Sequence, residues 1–157
     1  MARSVARRGS GYVTAMNGIV ATARIDIEAP ASRVWTALTE PDQIAAYMFG
    51  SRVETDWEVG HPITWNGEWE GKPYQDKGQV LAYDEPERLS VTHFSPLTGQ
   101  DDLPESYHTL VYELGENDGV TTVSLSQDNN GSEEEAEHSR ANWQMMLDGL
   151  KKQVEGN

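Results

Sequence analysis

Residues 132–155, SEEEAEHSRANWQMMLDGLKKQVE, carry the sequence signal that decides the fold. Ser132 and Glu135 have the spacing of a capping box, in which each side chain bonds a free backbone N–H at the start of a helix. The glutamates after Ser132 lie at the positive end of the helix dipole, and Lys151 and Lys152 lie at its negative end. An apolar stripe at spacings of three and four comprises Trp143, Met146, Leu147, Leu150 and Val154. The pattern predicts an amphipathic helix about 33 Å long, which is enough to cross a whole sheet.

Two runs before this helix have the alternation of paired strands. The first is HTLVYEL, residues 108–114, and the second is VTTVSLSQ, residues 120–127. One face of the first run carries His108, Leu110, Tyr112 and Leu114. The intervening residues 116–119, ENDG, are a strong turn signal. Together the two runs predict an antiparallel hairpin.

The middle of the chain has the pattern of further strands separated by turns. Residues 78–83 and 89–94 predict two strands joined by an acidic turn. Upstream, the dipeptide at 66–67, Asn-Gly, is typical of a tight hairpin turn. It is equally compatible with a bulge, because Trp65 and Trp69 favour strand pairing that continues through it.

The N-terminal third of the sequence predicts a disordered segment followed by a strand. Residues 1–18 are rich in Gly, Ser, Ala and Arg, which predicts a disordered tail. Residues 19–28, IVATARIDIE, alternate with period two and predict a strand. Pro30 and Pro41 each open a short helix, since the fixed φ of proline suits a first helical turn. Gly50 ends the second of these helices.

This order of elements predicts one α+β domain over residues 19–155. We expect a curved antiparallel sheet of six to seven strands around the long C-terminal helix, with two short helices after the first strand. A chain of 157 residues is of ordinary length for one domain and long enough to bury a core without cross-links.

Composition excludes several classes of function. The chain has 12 Lys and Arg against 26 Asp and Glu, a formal net charge of −14. A nucleic-acid partner and an anionic membrane surface both require a basic footprint, so neither is expected. There is no cysteine, which excludes disulfides, thiolate metal sites and cysteine nucleophiles. With no apolar secretory segment after Arg3, Arg7 and Arg8, the sequence predicts a cytoplasmic protein.

Several stretches in this order resemble the START/SRPBCC superfamily, also called birch-allergen-like or helix-grip. They cover most of residues 19–155, and they are Ile25 to Ala37, Pro41 to Tyr47, Val59-Gly60, Gly78 to Leu89, Tyr112 to Leu114 and Trp143 to Leu150. The sequence is similar above all to the branch related to the activator of heat-shock-protein-90 ATPase. The resemblance implies the helix-grip fold, with a deep cavity between the curved sheet and the long helix.

Two positions depart from the pattern of that superfamily. Tyr47-Met48 stand where Trp-Phe is frequent, and His93 stands where a tryptophan is common. Both positions border the cavity of related proteins. The identity of a ligand therefore does not follow from the resemblance, and the fold alone does not fix a function.

Inward-facing aromatic, apolar and histidine side chains are the candidates for the lining of this cavity. Trp35 is expected in the ordinary core instead, because its helix packs under the sheet. The residues predicted to line the cavity are Trp65, Trp69, Val91, His93, His108, Leu110, Tyr112, Trp143, Met146, Leu147 and Leu150. An aromatic lining with a few polar groups is typical of small-molecule sites. The same aromatic residues also form ordinary cores.

The two inward histidines and one long loop leave alternatives open. His93 and His108 would either bond a ligand or be core histidines that are satisfied by Tyr107, Tyr112 or water. The histidines lack metal-ligand spacing, and the sequence predicts no metal and no cofactor. Residues 95–106 would form either a lid or a solvated surface loop.

The favoured hypothesis is a binding protein that holds a small hydrophobic or aromatic molecule, and no catalytic residue is assigned. One alternative is a cyclase or dehydratase acting on an aromatic intermediate, with His93, His108 and Tyr112 as acid–base candidates. The other is a co-chaperone or stress-response protein related to the heat-shock-protein-90 activator, a less favoured reading. An exposed sheet edge would support a homodimer, but the sequence does not decide the oligomeric state.

Overall fold

The computed structural model describes residues 16–156 of the chain. Its strands are β1 (Ile19–Ile27), β2 (Arg52–Glu54), β3 (Pro62–Trp69), β4 (Lys72–Asp84), β5 (Arg88–His93), β6 (His108–Asn117) and β7 (Val120–Asn130). Its helices are α1 (Ala31–Thr39), α2 (Pro41–Tyr47) and α3 (Glu133–Glu155), and two short 3₁₀ turns lie between β5 and β6. The strands form one antiparallel sheet in the order β1-β7-β6-β5-β4-β3-β2. The predicted α+β architecture is confirmed, with seven strands in the curved sheet.

Helix α3 begins and packs as its sequence predicts. The Ser132 hydroxyl accepts a hydrogen bond from the Glu135 backbone N–H, and the Glu135 carboxylate accepts one from the Gly131 N–H. The buried face of the helix comprises Ala136, Met146, Leu147, Leu150 and Val154. The Gln144 side chain donates to the Arg24 carbonyl at 2.9 Å, and Lys151 donates to the Asp26 carbonyl at 2.7 Å. These bonds tie the helix to the outer strand β1, whose edge would otherwise be open.

Hydrogen bonding at the start of the described chain begins just before β1. The Asn17 backbone N–H donates to the Asp128 carboxylate at 2.9 Å, and its carbonyl accepts from the Asn129 N–H at 2.7 Å. Both partners lie at the end of β7, next to β1 in the sheet. Residues 1–15 of the predicted tail lie outside the described residues, so that prediction stands as made.

Strand β4 is bent and bulged, and this shapes the inner face of the sheet. At Gly78 an added Cβ would lie 1.8 Å from the Thr92 carbonyl oxygen, so only glycine allows β4 and β5 to come this close. The register of the pair shifts between Val80 and Ala82. Because of this bulge, Val80 and Tyr83 lie opposite inward-facing residues of β5 and both face the core.

The open alternative at Asn66-Gly67 is resolved as continuous pairing. Asn66 lies opposite Gln75 and Gly67 opposite Tyr74, with no register shift. The hairpin turn falls instead at Glu70-Gly71, which have φ values of 52° and 80°. A turn with both central residues at positive φ matches the twist of the flanking strands.

The core lies between the inner face of the sheet and the three helices. Trp35 is 1% exposed, and its ring meets the Tyr83 ring edge-on at 5.1 Å. Its indole N–H donates to the Tyr83 hydroxyl at 3.3 Å. The expectation that Trp35 belongs to the ordinary core is confirmed by this burial.

Residues 95–106 lie on the outer face of the sheet and do not form a lid. Asp102 in this loop pairs with Lys77 and accepts a hydrogen bond from the Tyr107 hydroxyl at 2.7 Å. The Lys77 ammonium and the Tyr107 hydroxyl hold the pKa of Asp102 below its usual value. Lys77 follows Asp76 in β4, so the two side chains point to opposite faces of the strand. The loop is therefore fastened to the face that is turned away from the cavity described below.

Candidate ligand-binding site

A cavity of about 120 Å³ lies where the end of α2, the inner faces of β3 to β6 and the middle of α3 converge. A second, more open cavity of about 290 Å³ lies beside it, against α3. The two share three wall residues, Met48, Phe49 and Trp143. A third space of about 30 Å³ reaches from the first toward the core. The site is thus a divided cavity, and these three residues, which border both parts, are called the partition residues below.

Half of the residues that line the inner cavity are aromatic: Phe49, Trp65, Tyr74, Tyr112 and Trp143. Trp65 meets the His93 ring edge-on with a centroid distance of 5.0 Å. A Cβ at Gly67 would lie 2.7 Å from the Tyr74 hydroxyl oxygen, so the Tyr74 ring lies across the glycine opposite it. The missing side chain at position 67 is what lets this ring lie flat against the hairpin.

Two buried tyrosine hydroxyls are held in their neutral form. Burial raises the pKa of Tyr112 far above its ordinary value. Burial, followed by the nearby Tyr112, likewise raises the pKa of Tyr47, whose hydroxyl donates to the Ala37 carbonyl at 3.0 Å. The Tyr112 hydroxyl has no hydrogen-bond partner among the residues that the structure describes. It is therefore a protonated hydroxyl at the cavity wall, available to a bound molecule.

An aspartate and a histidine form the polar part of the inner cavity. His93 Nε2 lies 2.9 Å from Asp76 Oδ2, and the two side chains are 23% and 15% exposed. The histidine is the donor, because a carboxylate offers only acceptors. The second oxygen, Asp76 Oδ1, is buried without a hydrogen-bond partner among residues 16–156. Such a group is costly in a folded protein, and it often marks a site whose interactions are incomplete.

A separate polar cluster lies where β7 meets α3. The Trp143 indole N–H donates to the Gln127 side-chain carbonyl. His108 Nδ1 lies 2.8 Å from the Asp128 carbonyl oxygen, so this nitrogen carries the proton. Its 3.3 Å contact with the Gln127 side-chain nitrogen is then between two donors and is not a hydrogen bond. The cluster fixes the Trp143 ring in the partition and gives His108 a partner in the backbone.

The structure distributes the predicted lining residues over several places. Five of them line the inner cavity: Trp65, His93, Leu110, Tyr112 and Trp143. Met146 lines the outer cavity, and Val91 lines the small space near the core. His108 lies in the polar cluster beside these cavities. Leu147 and Leu150 are fully buried on α3 and form core beneath the site.

Trp69 is the predicted lining residue that lies on the surface, away from the cavities and the core. It is 60% exposed and lies opposite Lys72 at the end of the β3–β4 hairpin. The pairing of β4 with β5 reaches only to the bridge between Lys77 and Phe94, so the hairpin projects past its neighbours. Trp69 does alternate in phase with Trp65, but within residues 16–156 no element covers the inner face so far along the strand, and the side chain stays exposed.

Several residues of the site were not predicted from the sequence. Asp76 and Tyr74 precede the expected start of their strand at Gly78, although β4 begins at Lys72. Extending the alternation of that strand backward would have placed both on the inner face. Met48 lies at a position that borders the cavity of related proteins and lines both cavities here, but it was not among the predicted lining residues. Phe49 and Ser51 come from the connection between α2 and β2, where no periodic pattern marks them.

Among the described residues there is neither a cluster of metal-binding side chains nor a membrane-spanning helix. No group of three or more histidine, aspartate or glutamate residues among residues 16–156 is arranged to hold a metal ion. No helix in the same part of the chain combines the length and apolar character that crossing a bilayer requires.

Comparison with solved structures shows where this architecture recurs. The structure resembles the solution structure of ChR145 from Cytophaga hutchinsonii, with 45% sequence identity, a TM-score of 0.79, and coverage of 91% of this chain and 97% of that chain. It also resembles the Aha1 dimer from Colwellia psychrerythraea, with 19% identity, a TM-score of 0.67, and coverage of 87% of this chain and 96% of that chain. CalU16 from Micromonospora echinospora is similar at 19% identity and a TM-score of 0.65, over 90% of this chain and 87% of that chain.

At the level of sequence, no curated protein matches this chain. A family does match: the one described as Activator of Hsp90 ATPase homolog 1-like protein, over residues 28–155. The matched region runs from the end of β1 to the last residue of α3, so it includes every described wall of the cavity. The chain therefore belongs to the family of Activator of Hsp90 ATPase homolog 1-like proteins.

Proposed function

We propose that this protein binds a small hydrophobic or aromatic molecule in the divided cavity between the sheet and α3. The observation that carries the proposal is an aromatic-walled cavity with a few polar groups directed into it. Small-molecule sites usually measure about 300–1,000 Å³. Movement of the partition residues Met48, Phe49 and Trp143 would join the inner and outer cavities into a space of that order.

The first experiment is native mass spectrometry of the purified protein, compared with its denatured mass. Extra mass that is lost on denaturation identifies a molecule carried in the cavity. Titration with the neutral fluorescent probe N-phenyl-1-naphthylamine then measures uptake directly. We expect saturable binding with increased fluorescence, since the cavity wall is mostly apolar.

Three variants test whether the probe binds in the cavity. Leu110→Trp fills the inner cavity and should abolish uptake, whereas Trp143→Ala removes a wall of both cavities and should weaken it. Trp69→Ala is the matched control, because this tryptophan is exposed outside the cavity. Circular dichroism checks that each variant is folded. Unchanged uptake in folded Leu110→Trp would contradict the proposal.

The pair formed by Asp76 and His93 supports a second candidate function, acid–base catalysis on a bound aromatic molecule. A histidine that is oriented by a carboxylate at a cavity wall is the usual arrangement of a general base. Tyr112 would supply a protonated hydroxyl from the neighbouring strand β6, on the same sheet wall as His93. Of the two histidines proposed from the sequence, His93 is the better candidate, because His108 Nδ1 is engaged by the Asp128 carbonyl outside the cavity wall.

The molecule identified by mass spectrometry is the substrate for the test of catalysis. Product formation by wild type across pH is compared with that by His93→Gln. A bell-shaped profile that disappears in the variant supports an enzyme of the cyclase or dehydratase type. Equal rates in the two proteins would contradict it. The homodimer, the cytoplasmic location and the chaperone contact remain predictions, and the native mass spectrum also measures the oligomeric state.

A further inference from the structure

The charged groups that line the two cavities are of one sign. Asp76 is the one carboxylate among the described lining residues, and neither cavity has a lysine or an arginine in its wall. A carboxylate or phosphate ligand would therefore meet a like charge and no lysine or arginine, while the one lining histidine, His93, is already bonded to Asp76. We infer that the molecule bound here carries a protonated amine on an apolar or aromatic body, with the ammonium group against Asp76. This inference rests on the proposed function, because it names the ligand class of the same cavity.

The aspartate is incompletely satisfied inside the protein. His93 bonds one of its oxygens at 2.9 Å, while Oδ1 is buried and has no partner in the described part of the chain. A buried carboxylate gains most from a charged donor, since such hydrogen bonds are stronger than neutral ones. The χ2 torsion of aspartate is soft, so a small rotation brings an oxygen toward a donor in the cavity. An ammonium group supplies the missing interaction, and an ether, ester or hydrocarbon does not.

The aromatic walls favour the same ligand charge. Trp65, Tyr74, Tyr112 and Trp143 border the cavity that Asp76 lines. The face of an aromatic ring is electronegative, and cations within about 6 Å of a ring centroid are attracted to it. A carboxylate among several aromatic rings is thus a better site for an organic cation than for a neutral molecule of equal size.

The charge of the whole molecule acts in the same direction over longer distances. With a formal net charge of −14, the protein attracts cations and repels anions before contact. This long-range term acts at every site on the surface and not only at the cavity. Preference for an amine that depends on Asp76 is therefore the observation that separates a built site from a general charge effect.

The test uses three naphthalene derivatives that differ only in the polar group: 1-naphthylmethylamine, 1-naphthylmethanol and 1-naphthoic acid. Their affinities for the full-length protein are measured by isothermal titration calorimetry at neutral pH. We expect the amine to bind at least tenfold more tightly than the alcohol, and the acid to bind most weakly. If none of the three binds, the proposed function fails together with this inference. If the alcohol binds as tightly as the amine, the cavity is a site and this inference alone is overturned.

Two charge-neutralising variants test whether the preference for the amine depends on Asp76. Asp76→Asn should lower amine affinity about tenfold, to that of the alcohol, and should leave alcohol affinity within a factor of three. Asp118→Asn also removes one negative charge, from an exposed turn far along the chain where asparagine tolerates the positive φ of 54°. It should keep the full preference for the amine. A preference that survives in Asp76→Asn, or that is equally reduced in both variants, would overturn the inference.

Discussion

At the scale of the residue, Gly78 has the closest contact for an added Cβ of all the described glycines. An added Cβ would lie 1.8 Å from the Thr92 carbonyl oxygen, which is a backbone atom of the neighbouring strand. We expect Gly78→Ala to lower the free energy of unfolding by about 3 kcal/mol, because β4 and β5 must separate. Urea denaturation measures the loss. Gly115→Ala is the control, since no atom lies within 4 Å of an added Cβ there. A similar loss in both variants would contradict this reading of the β4 bend.

The buried tyrosines predict an alkaline limit to stability. Burial raises the pKa of Tyr112, and burial with the nearby Tyr112 raises that of Tyr47. In the unfolded chain a tyrosine ionises near pH 10, so above that pH the unfolded state releases protons that the folded state retains. Stability should therefore be fully present below about pH 10 and should fall as pH rises further. Chemical denaturation between pH 8 and pH 11 measures it, and Tyr112→Phe should show a shallower decline. An equally steep decline in the variant would show that other groups cause it.

At the scale of the element, the N-terminus of α3 depends on one hydroxyl. Ser132 accepts from the Glu135 N–H at 3.0 Å, and alanine cannot replace that bond. We expect Ser132→Ala to lower the free energy of unfolding by about 1 kcal/mol. Ser132→Asp keeps an acceptor at the same place, beside the positive end of the helix dipole, and should change stability little. Thermal unfolding compares the two variants with wild type, and equal losses would show that the cap is not the cause.

The connection between α2 and β2 combines strain with a position at the cavity mouth. Phe49 has a φ of 55° and is 92% exposed, yet it lines both the inner and the outer cavity. A bulky residue in the left-handed region is strained, whereas asparagine adopts that region at lower cost. We expect Phe49→Asn to raise the free energy of unfolding by about 0.5–1 kcal/mol and to weaken uptake of N-phenyl-1-naphthylamine severalfold.

Urea denaturation and fluorescence titration measure these two effects on the same preparation. The control is Leu97→Asn, which also removes an exposed apolar side chain but lies in the loop on the outer face. Uptake that is equally weakened in the control would indicate a general loss of surface hydrophobicity. Uptake unchanged in Phe49→Asn would remove Phe49 from the site.

At the scale of the whole molecule, periodicity predicted the fold well because each element repeats its own signal. The stripe of α3 and the alternation of β6 and β7 fix which faces are buried, and the observed registers agree. Alternation does not reveal how far a strand extends beyond its neighbours. For that reason Trp69 was placed in the cavity and is in fact exposed at a projecting hairpin. The same limit concealed Asp76, because Gly71 and Pro73 obscured the true start of β4.

The site was less predictable than the fold because it joins residues that are distant in sequence. The pair Asp76–His93 forms only because the Gly78 bend and the bulge in β4 set the relation of β4 to β5. The partition combines Met48 and Phe49 from one connection with Trp143 from the last helix. No local pattern links these positions. The sequence therefore indicates which kinds of residue line the cavity, but not how they are arranged in space.

Because the whole chain is acidic, we expect added salt to stabilise the fold and to weaken the binding of a cationic ligand. With 26 acidic and 12 basic residues, the folded protein holds unpaired negative charges close together. Dissolved salt screens the repulsion between these charges. Surface ion pairs, which salt weakens, contribute little, about 0–1 kcal/mol each. Raising NaCl from 10 mM to 300 mM should therefore raise the melting temperature by a few degrees. The same change should weaken binding of 1-naphthylmethylamine and leave that of 1-naphthylmethanol nearly unchanged.

A variant with fewer surface charges separates screening from other effects of salt. The variant neutralises four of the exposed carboxylates that have no ion-pair partner in the described part of the chain, by Glu68→Gln, Glu70→Gln, Asp101→Asn and Asp118→Asn. Its melting temperature in 10 mM NaCl should exceed that of wild type, and its further rise with salt should be smaller. The salt dependence of amine binding should persist, because Asp76 is retained. If salt lowers the melting temperature of the wild-type protein, surface ion pairs outweigh repulsion, and the charge excess does not limit the stability of this fold.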